Sequence, residues 1–207
     1  MPQLVWKRRA NLLQPAHDCP APSADVHRRG DDPPAFSRPL PVEAVDRFCG
    51  YFETQVQARC GMHALNNALG CSFVSVHDLE AACQELLLTN AREGLQEHRS
   101  QHIKPGGWYS IEILAQALQQ AAMEHYGRVE YQMCLEPLCL NSGLLRTAVG
   151  ALVNIDNAHW IALRWIADKV WFLDSQASTP RLLTWAEYVH FVSLHRCAYC
   201  INVAQQI

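Results

Sequence analysis

Eight of the eleven prolines in this 207-residue chain fall within the first 41 positions. The same stretch mixes Asp with Arg and shows little periodicity, as in "PAPSADVHRRGDDPPAFSRPLP". Such a segment cannot bury enough apolar surface to offset the entropy of ordering it. Residues 1–45 are therefore expected to be a disordered, Pro-rich tail, with at most a short helix near Leu4–Leu13. Any packed core must be built from residues 46–207, a length that suits one domain.

Composition agrees with that reading. The chain is 49% hydrophobic, enough for a sizeable core, and its net charge is −3 with a pI near 6.3. A near-neutral balance argues against nucleic acid as a main partner, which favours a basic face. No apolar run is long enough for an integral membrane helix. The N-terminus lacks the apolar stretch of a secretory signal, and acidic residues from Asp18 onward argue against a transit peptide despite Lys7, Arg8 and Arg9. Nine cysteines with irregular spacing do not suggest a disulfide framework, and a domain of this size does not need one. The expected setting is the reducing cytoplasm or nucleus, with most cysteines acting as small core hydrophobes. A monomer is expected.

The elements read in a definite order. Residues Cys60–Leu69 suit a short helix stopped by Gly70. Ser75 and Asp78 form a capping box for a second helix, with Leu79, Ala82, Cys83, Leu86 and Leu87 on its apolar stripe. "NAREGLQEHRSQHIKPGG" is polar and reads as a loop or frayed arm. Ser110 opens a helix with Ile111, Leu114, Ala115, Leu118 and Ala122 on one face, ended by Gly127. A strand "VEYQMC" and a short helix near Gly143–Val149 precede the strand "ALVNI". "HWIALRW" and "VWFLD" flank "IADK", a hairpin signal. Thr184 and Glu187 form another capping box for a helix to about Leu194, and "AYCINV" is a last strand. Helices first and mostly antiparallel strands last define an α+β domain.

Chemistry centres on "QVQARCGMHALNNALG", Gln55–Gly70. A cysteine at a helix N-terminus faces backbone N–H groups without intrahelical acceptors and the positive end of the dipole, which favours the thiolate. A nucleophilic thiolate needs a base held in place. In the hairpin, a two-residue loop puts odd positions of the first strand on the same face as even positions of the second. Ile161, Leu163 and Trp165 then share an apolar face with Val170 and Phe172, and that face ends in His159 and Asp174. A carboxylate beside an imidazole fixes its tautomer and stabilises the imidazolium, so Cys60, His159 and Asp174 are candidates for a catalytic triad. Gln55 can fold back to stabilise an oxyanion with the backbone N–H of Cys60. Gln57 competes with it for that role. Each residue also has a plainer use. Helix-start cysteines usually pack, strand-start histidines are usually structural, and Asp174 can open a turn with Ser175.

The spacing Q-x4-C-G-x-H-A-L-N-N from Gln55 to Asn67 resembles the opening of a Josephin domain. "GGWYSIEIL" resembles that family's segment before its central helix. "NAHWIALRW" followed by "VWFLDS" resembles its histidine strand and third-residue strand, in the same order. The similarity spans roughly Phe48–Val203. It implies a papain-like fold, with a helical subdomain carrying the cysteine on an antiparallel sheet carrying the histidine and the acid. It also implies a deubiquitinating cysteine protease, cutting after the C-terminal glycine of ubiquitin and acting on ubiquitinated proteins without a cofactor. By the resemblance, Cys60 is the nucleophile, His159 the general base and acid, Asp174 the orienting residue and Gln55 the oxyanion donor. His63, Asn66 and Asn67 are assigned to structure. Asp stands at 174 where some members have Asn; both accept from the imidazole. The short segment between the second and central helices resembles compact members.

Two alternatives accompany this reading. One is a ubiquitin-binding module of the same fold with weak or no activity, which has no physical need for all three triad residues. The other is a metal site at Cys197 and Cys200. A single CxxC is weak without a second pair, and positions three apart on a strand face opposite ways, so no metal is expected.

Overall fold

The computed structural model describes residues 48–104, 107–126, 131–137, 143–195 and 197–203. The Pro-rich tail, the helix expected near Leu4–Leu13 and the boundary at 45/46 lie outside these residues, as does Gly127.

Helix α1 runs over Cys60–Leu69 and ends where the sequence says, with Gly70 left-handed at φ 80° and its N–H donating to the Asn66 carbonyl. That conformation is cheap only for glycine, so the stop is local chemistry. Helix α2, Val76–Arg92, opens on the expected capping box: Ser75 accepts from the Asp78 N–H while Asp78 accepts from the Ser75 N–H. Helix α3, Arg99–His102, leads into strands β1 (Ile103–Lys104) and β2 (Trp108–Tyr109), which pair antiparallel. The segment expected as a loop or frayed arm thus carries the end of α2, a helical turn and a strand. His102 orders it, bonding Ser110 Oγ through Nδ1 at 3.0 Å and Glu97 through Nε2 at 3.0 Å.

Helix α4, Ile111–Tyr126, buries Ile113, Leu114, Ala117, Leu118, Ala121 and Ala122. The expected stripe included Ile111 and Ala115, which are only half-buried. The buried arc is displaced because α4 packs against α2 on one side and α1 and the sheet on another.

The sheet comprises β3 (Tyr131–Pro137), β4 (Gly150–Ile155), β5 (His159–Ile166), β6 (Lys169–Leu173), β7 (Arg181–Leu183) and β8 (Cys197–Val203). Its order is β3-β8-β4-β5-β6-β7, with every neighbouring pair antiparallel. Helix α5 (Gly143–Thr147) precedes β4, and α6 (Trp185–Leu194) opens on the expected Thr184–Glu187 capping box. The chain is therefore α+β, with helices packed on an antiparallel sheet.

Both faces of the sheet are covered. Trp160, Ala162, Trp171 and Leu173 join α1, α2 and α4 in one core. Ile161, Leu163 and Val170 join Tyr188 and Val192 of α6 in a second. The odd-numbered face of β5 is thus buried against α6, and the cysteine helix packs on the even-numbered face. Contact there is close: a Cβ on Gly150 would fall 2.3 Å from the Ala68 carbonyl oxygen. Cys83 and Cys200 are core residues as expected, whereas Cys49 and Cys71 are exposed. Among the described residues no helix is long and apolar enough to cross a membrane.

Candidate active site

The β5–β6 hairpin brings His159 and Asp174 together. Its register pairs Ile166 with Lys169 and Leu163 with Phe172, leaving a two-residue loop at Ala167 and Asp168, both at positive φ. This is the parity required to put odd positions of β5 beside even positions of β6. His159 Nε2 donates to Asp174 Oδ1 at 2.8 Å. The pair is partly shielded, with side chains 17% and 26% exposed.

With Nε2 committed to the carboxylate, Nδ1 is left for Cys60. The cysteine begins α1, is buried and lies close enough to His159 for each to shift the other's pKa. Burial pushes the thiol pKa up, but hydrogen bonds from His159 and from the Trp160 and Gly61 backbones, with the imidazolium charge, outweigh it and leave the net value lowered. The histidine moves the other way. Its hydrogen bond to Cys60 raises it most, burial opposes, and the bond and charge of Asp174 raise it further. These opposite shifts favour a thiolate–imidazolium pair, which can attack a carbonyl carbon and then protonate a leaving amine.

Gln55 lies beside the same strand end. Its backbone N–H donates to the Ser175 carbonyl at 2.7 Å, and its Oε1 accepts from Ser175 Oγ at 3.4 Å. The carbonyl end of the amide is thereby occupied and the NH₂ end left for another acceptor. Gln57, its competitor, is exposed and sits at φ 60°, in the turn leading to Cys60. Gly107 presses on that turn: a Cβ there would fall 1.9 Å from the Ala58 carbonyl oxygen, and its φ is 79°. Trp160 Nε1 donates to the Tyr109 carbonyl at 2.9 Å, tying β5 to the same segment. Gly107–Tyr109 thus acts as a wall for the cysteine turn.

Several participants were not singled out in the sequence. Ser175 carries both contacts to Gln55. Gln176 donates its backbone N–H to Asp174 Oδ1 at 2.9 Å, and its amide nitrogen lies 3.3 Å from His159 Nδ1. The hairpin register, extended three pairs beyond Ala162–Leu173, puts 176 opposite 159, so the same parity reasoning carried further finds it. Glu53 gave no sequence signal; it stands in a non-periodic stretch before α1. His63, Asn66 and Asn67 are buried, as a structural role requires. The Cys197–Cys200 stretch forms most of β8, where Cys200 is buried.

Comparison with known proteins agrees with this architecture. The Josephin family model matches residues 55–198. A "Josephin-like protein" of Drosophila melanogaster is 30% identical over 161 residues, covering 69% of this chain and 67% of its own. An "Ataxin-3 homolog" of Caenorhabditis briggsae is 28% identical over 171 residues, covering 76% of this chain and 49% of its own. One of Caenorhabditis elegans is 26% identical over 186 residues, covering 83% and 52%. The chain thus spans about half the length of these two ataxin-3 homologs. The chain belongs to the Josephin family.

Proposed function

We propose that this protein is a deubiquitinating cysteine protease that hydrolyses the isopeptide or peptide bond after the C-terminal glycine of ubiquitin. Members of the Josephin family are ubiquitin-directed cysteine proteases. The observation that carries the reading for this chain is the placing of Cys60 beside His159, each shifting the other's pKa, with the imidazole bonded to Asp174 through Nε2. A module that only binds ubiquitin has no use for a thiol with a lowered pKa beside an oriented imidazole.

The steps follow from the donors and acceptors. The Cys60 thiolate attacks the glycine carbonyl carbon, and the carbonyl oxygen becomes an oxyanion. The Gln55 amide and the backbone N–H of Cys60 stabilise it. The C–N bond breaks as His159 delivers its proton to the departing amine, leaving a thioester on Cys60. Water, losing a proton to His159, attacks the thioester and releases the ubiquitin carboxylate and the thiolate. Asp174 keeps the imidazole in the Nε2–H orientation throughout. The enzyme works in a reducing compartment, the cytoplasm or nucleus, where Cys60 stays a thiol.

The test is turnover of ubiquitin carrying a C-terminal fluorogenic amide. The full chain should release the fluorophore and Cys60→Ala should not, while both melt at the same temperature. Turnover by Cys60→Ala within about tenfold of the parent, a gap of about 1.4 kcal/mol, would assign the chemistry elsewhere.

A further inference from the structure

Another histidine–carboxylate pair lies behind Gln55. His63, one turn into α1, meets Glu53 Oε1 through Nδ1 at 2.7 Å. Its Nε2 lies 3.2 Å from the backbone nitrogen of Val56, on the far side of Gln55 from Glu53. That N–H can only donate, so Nε2 must accept, and the ring proton must sit on Nδ1 and point at the carboxylate. Glu53 is held at every polar atom. Its Oε1 also accepts from Asn66 Nδ2 at 3.0 Å, and Oε2 accepts from the Tyr51 hydroxyl. Its backbone N–H donates to Asn67 Oδ1 at 2.7 Å, and its carbonyl accepts from Asn67 Nδ2 at 3.0 Å. Segment 53–56 therefore lies along α1 on side-chain rungs rather than on a strand or helix ladder. Ser175 fixes its other edge through Gln55.

We propose that Glu53 and His63 are positioning residues that hold the Gln55 segment in register with Cys60, so that the Gln55 amide reaches the oxyanion. This rests on the protease reading above. Segment 53–56 has no regular element of its own, and Val56 is 64% exposed, so little else anchors it on this side. Without the His63 rung the segment is tied only at Glu53 and through Ser175. A misplacement of about 1 Å at a catalytic donor costs roughly a hundredfold in rate.

The test has an arm that needs no turnover. In the full chain, nitrogen NMR should find His63 as the Nδ1–H tautomer. The Val56 amide should exchange slowly, and His63→Ala should speed that exchange at least tenfold. Alkylation of Cys60 by iodoacetamide should change less than twofold, since the rung does not touch the thiol. On the fluorogenic ubiquitin substrate, His63→Ala should lower kcat about ten- to a hundredfold and move KM less than threefold. The same change placed on Gln55→Ala should cost less than twofold further, because the donor it positions is already gone. Glu53→Gln, which keeps the acceptor for His63 and Asn66, should recover most of the rate lost in Glu53→Ala. Equal losses from His63→Ala with and without Gln55, or a parallel fall in Cys60 alkylation, would overturn the proposal in favour of general support of α1. Unchanged Val56 exchange in a chain that turns over ubiquitin would overturn the latch itself. A chain that cleaves no ubiquitin substrate yet shows the tautomer and the Val56 response overturns the protease reading and supports the latch.

Discussion

His159 and His63 each meet a carboxylate, at 2.8 Å and 2.7 Å, in two differently built parts of the molecule. The first pair stands at the open end of a hairpin, with side chains 17% and 26% exposed. The second is tied to the buried side of α1, at 7% and 21%. What separates them is the second nitrogen. His159 turns it toward a thiol, a group that can give up and take back a proton. His63 turns it toward a backbone N–H, which never exchanges roles, so that ring is locked in one tautomer. Distance to a carboxylate therefore does not identify a catalytic histidine; the partner on the other nitrogen does.

The largest expected effect strikes the reactive pair alone. His159→Ala should remove kcat by roughly four orders of magnitude or more, as deletion of a member of a nucleophile–base unit does elsewhere. It should leave the fold intact, because a half-buried strand-start side chain contributes little packing. A fall in melting temperature matching that of a core truncation such as Leu65→Ala would mean that His159, like His63, is structural.

Next is Gln55, the proposed oxyanion donor that both regions serve. Gln55→Ala should lower kcat about 10²–10³-fold, equivalent to roughly 2.7–4 kcal/mol of transition-state stabilisation. Affinity for ubiquitin should hardly move, since the oxyanion exists only in the transition state. Weakened binding with kcat spared would make Gln55 a contact in the substrate groove and pass the oxyanion to backbone N–H groups or to Gln57.

Asp174 sharpens the comparison through pH. The thiolate–imidazolium pair exists above the lowered pKa of Cys60 and below the raised pKa of His159. Both limbs belong to the coupled pair rather than to either residue. Asp174 is one of the groups raising His159, so Asp174→Ala should move the alkaline limb of the kcat/KM profile to lower pH and reduce its plateau. Asp174→Asn keeps an acceptor for Nε2–H and should cost less. An alkaline limb that stays in place in Asp174→Ala would show that Cys60 alone sets the imidazole pKa.

The smallest effect is expected from the tail. Removing residues 1–45 should change kcat and melting temperature by less than about twofold and a degree or two, since a segment of that composition makes few packed contacts. A large loss would place part of the tail against the domain.

The elements that the sequence made legible carry their own instructions. The Ser75 and Thr184 capping boxes, the Gly70 stop and the Ala167–Asp168 hairpin turn are local, and their strengths do not depend on distant partners. His159 and Asp174 could be aligned because parity within one hairpin is also local, and Cys60 was marked by its place at a helix start. The segment between α2 and α4 hid α3, β1 and β2 because contacts that follow no periodic rule hold it: His102 to Ser110, and Gly107 against Ala58. Strand β7 is three residues long and exists by pairing with β6. Glu53 was invisible for the same reason. Its partners, His63, Asn66 and Asn67, are ten to fourteen residues away, and no periodic rule links a pre-helix carboxylate to them. The sequence could show that His63 lies on α1, but not that its ring faces the backbone of Val56.

The central claim is that Cys60 is the nucleophile of a ubiquitin-directed protease. It is tested most directly with ubiquitin carrying an electrophilic propargylamide at its C-terminus. The full chain should gain the mass of one ubiquitin, and fragmentation should locate the bond on Cys60. Cys60→Ala should gain nothing, and His159→Ala should react much more slowly at the same probe concentration. An adduct on exposed Cys49 or Cys71, or steady hydrolysis of ubiquitin amides with no adduct on Cys60, would contradict the account.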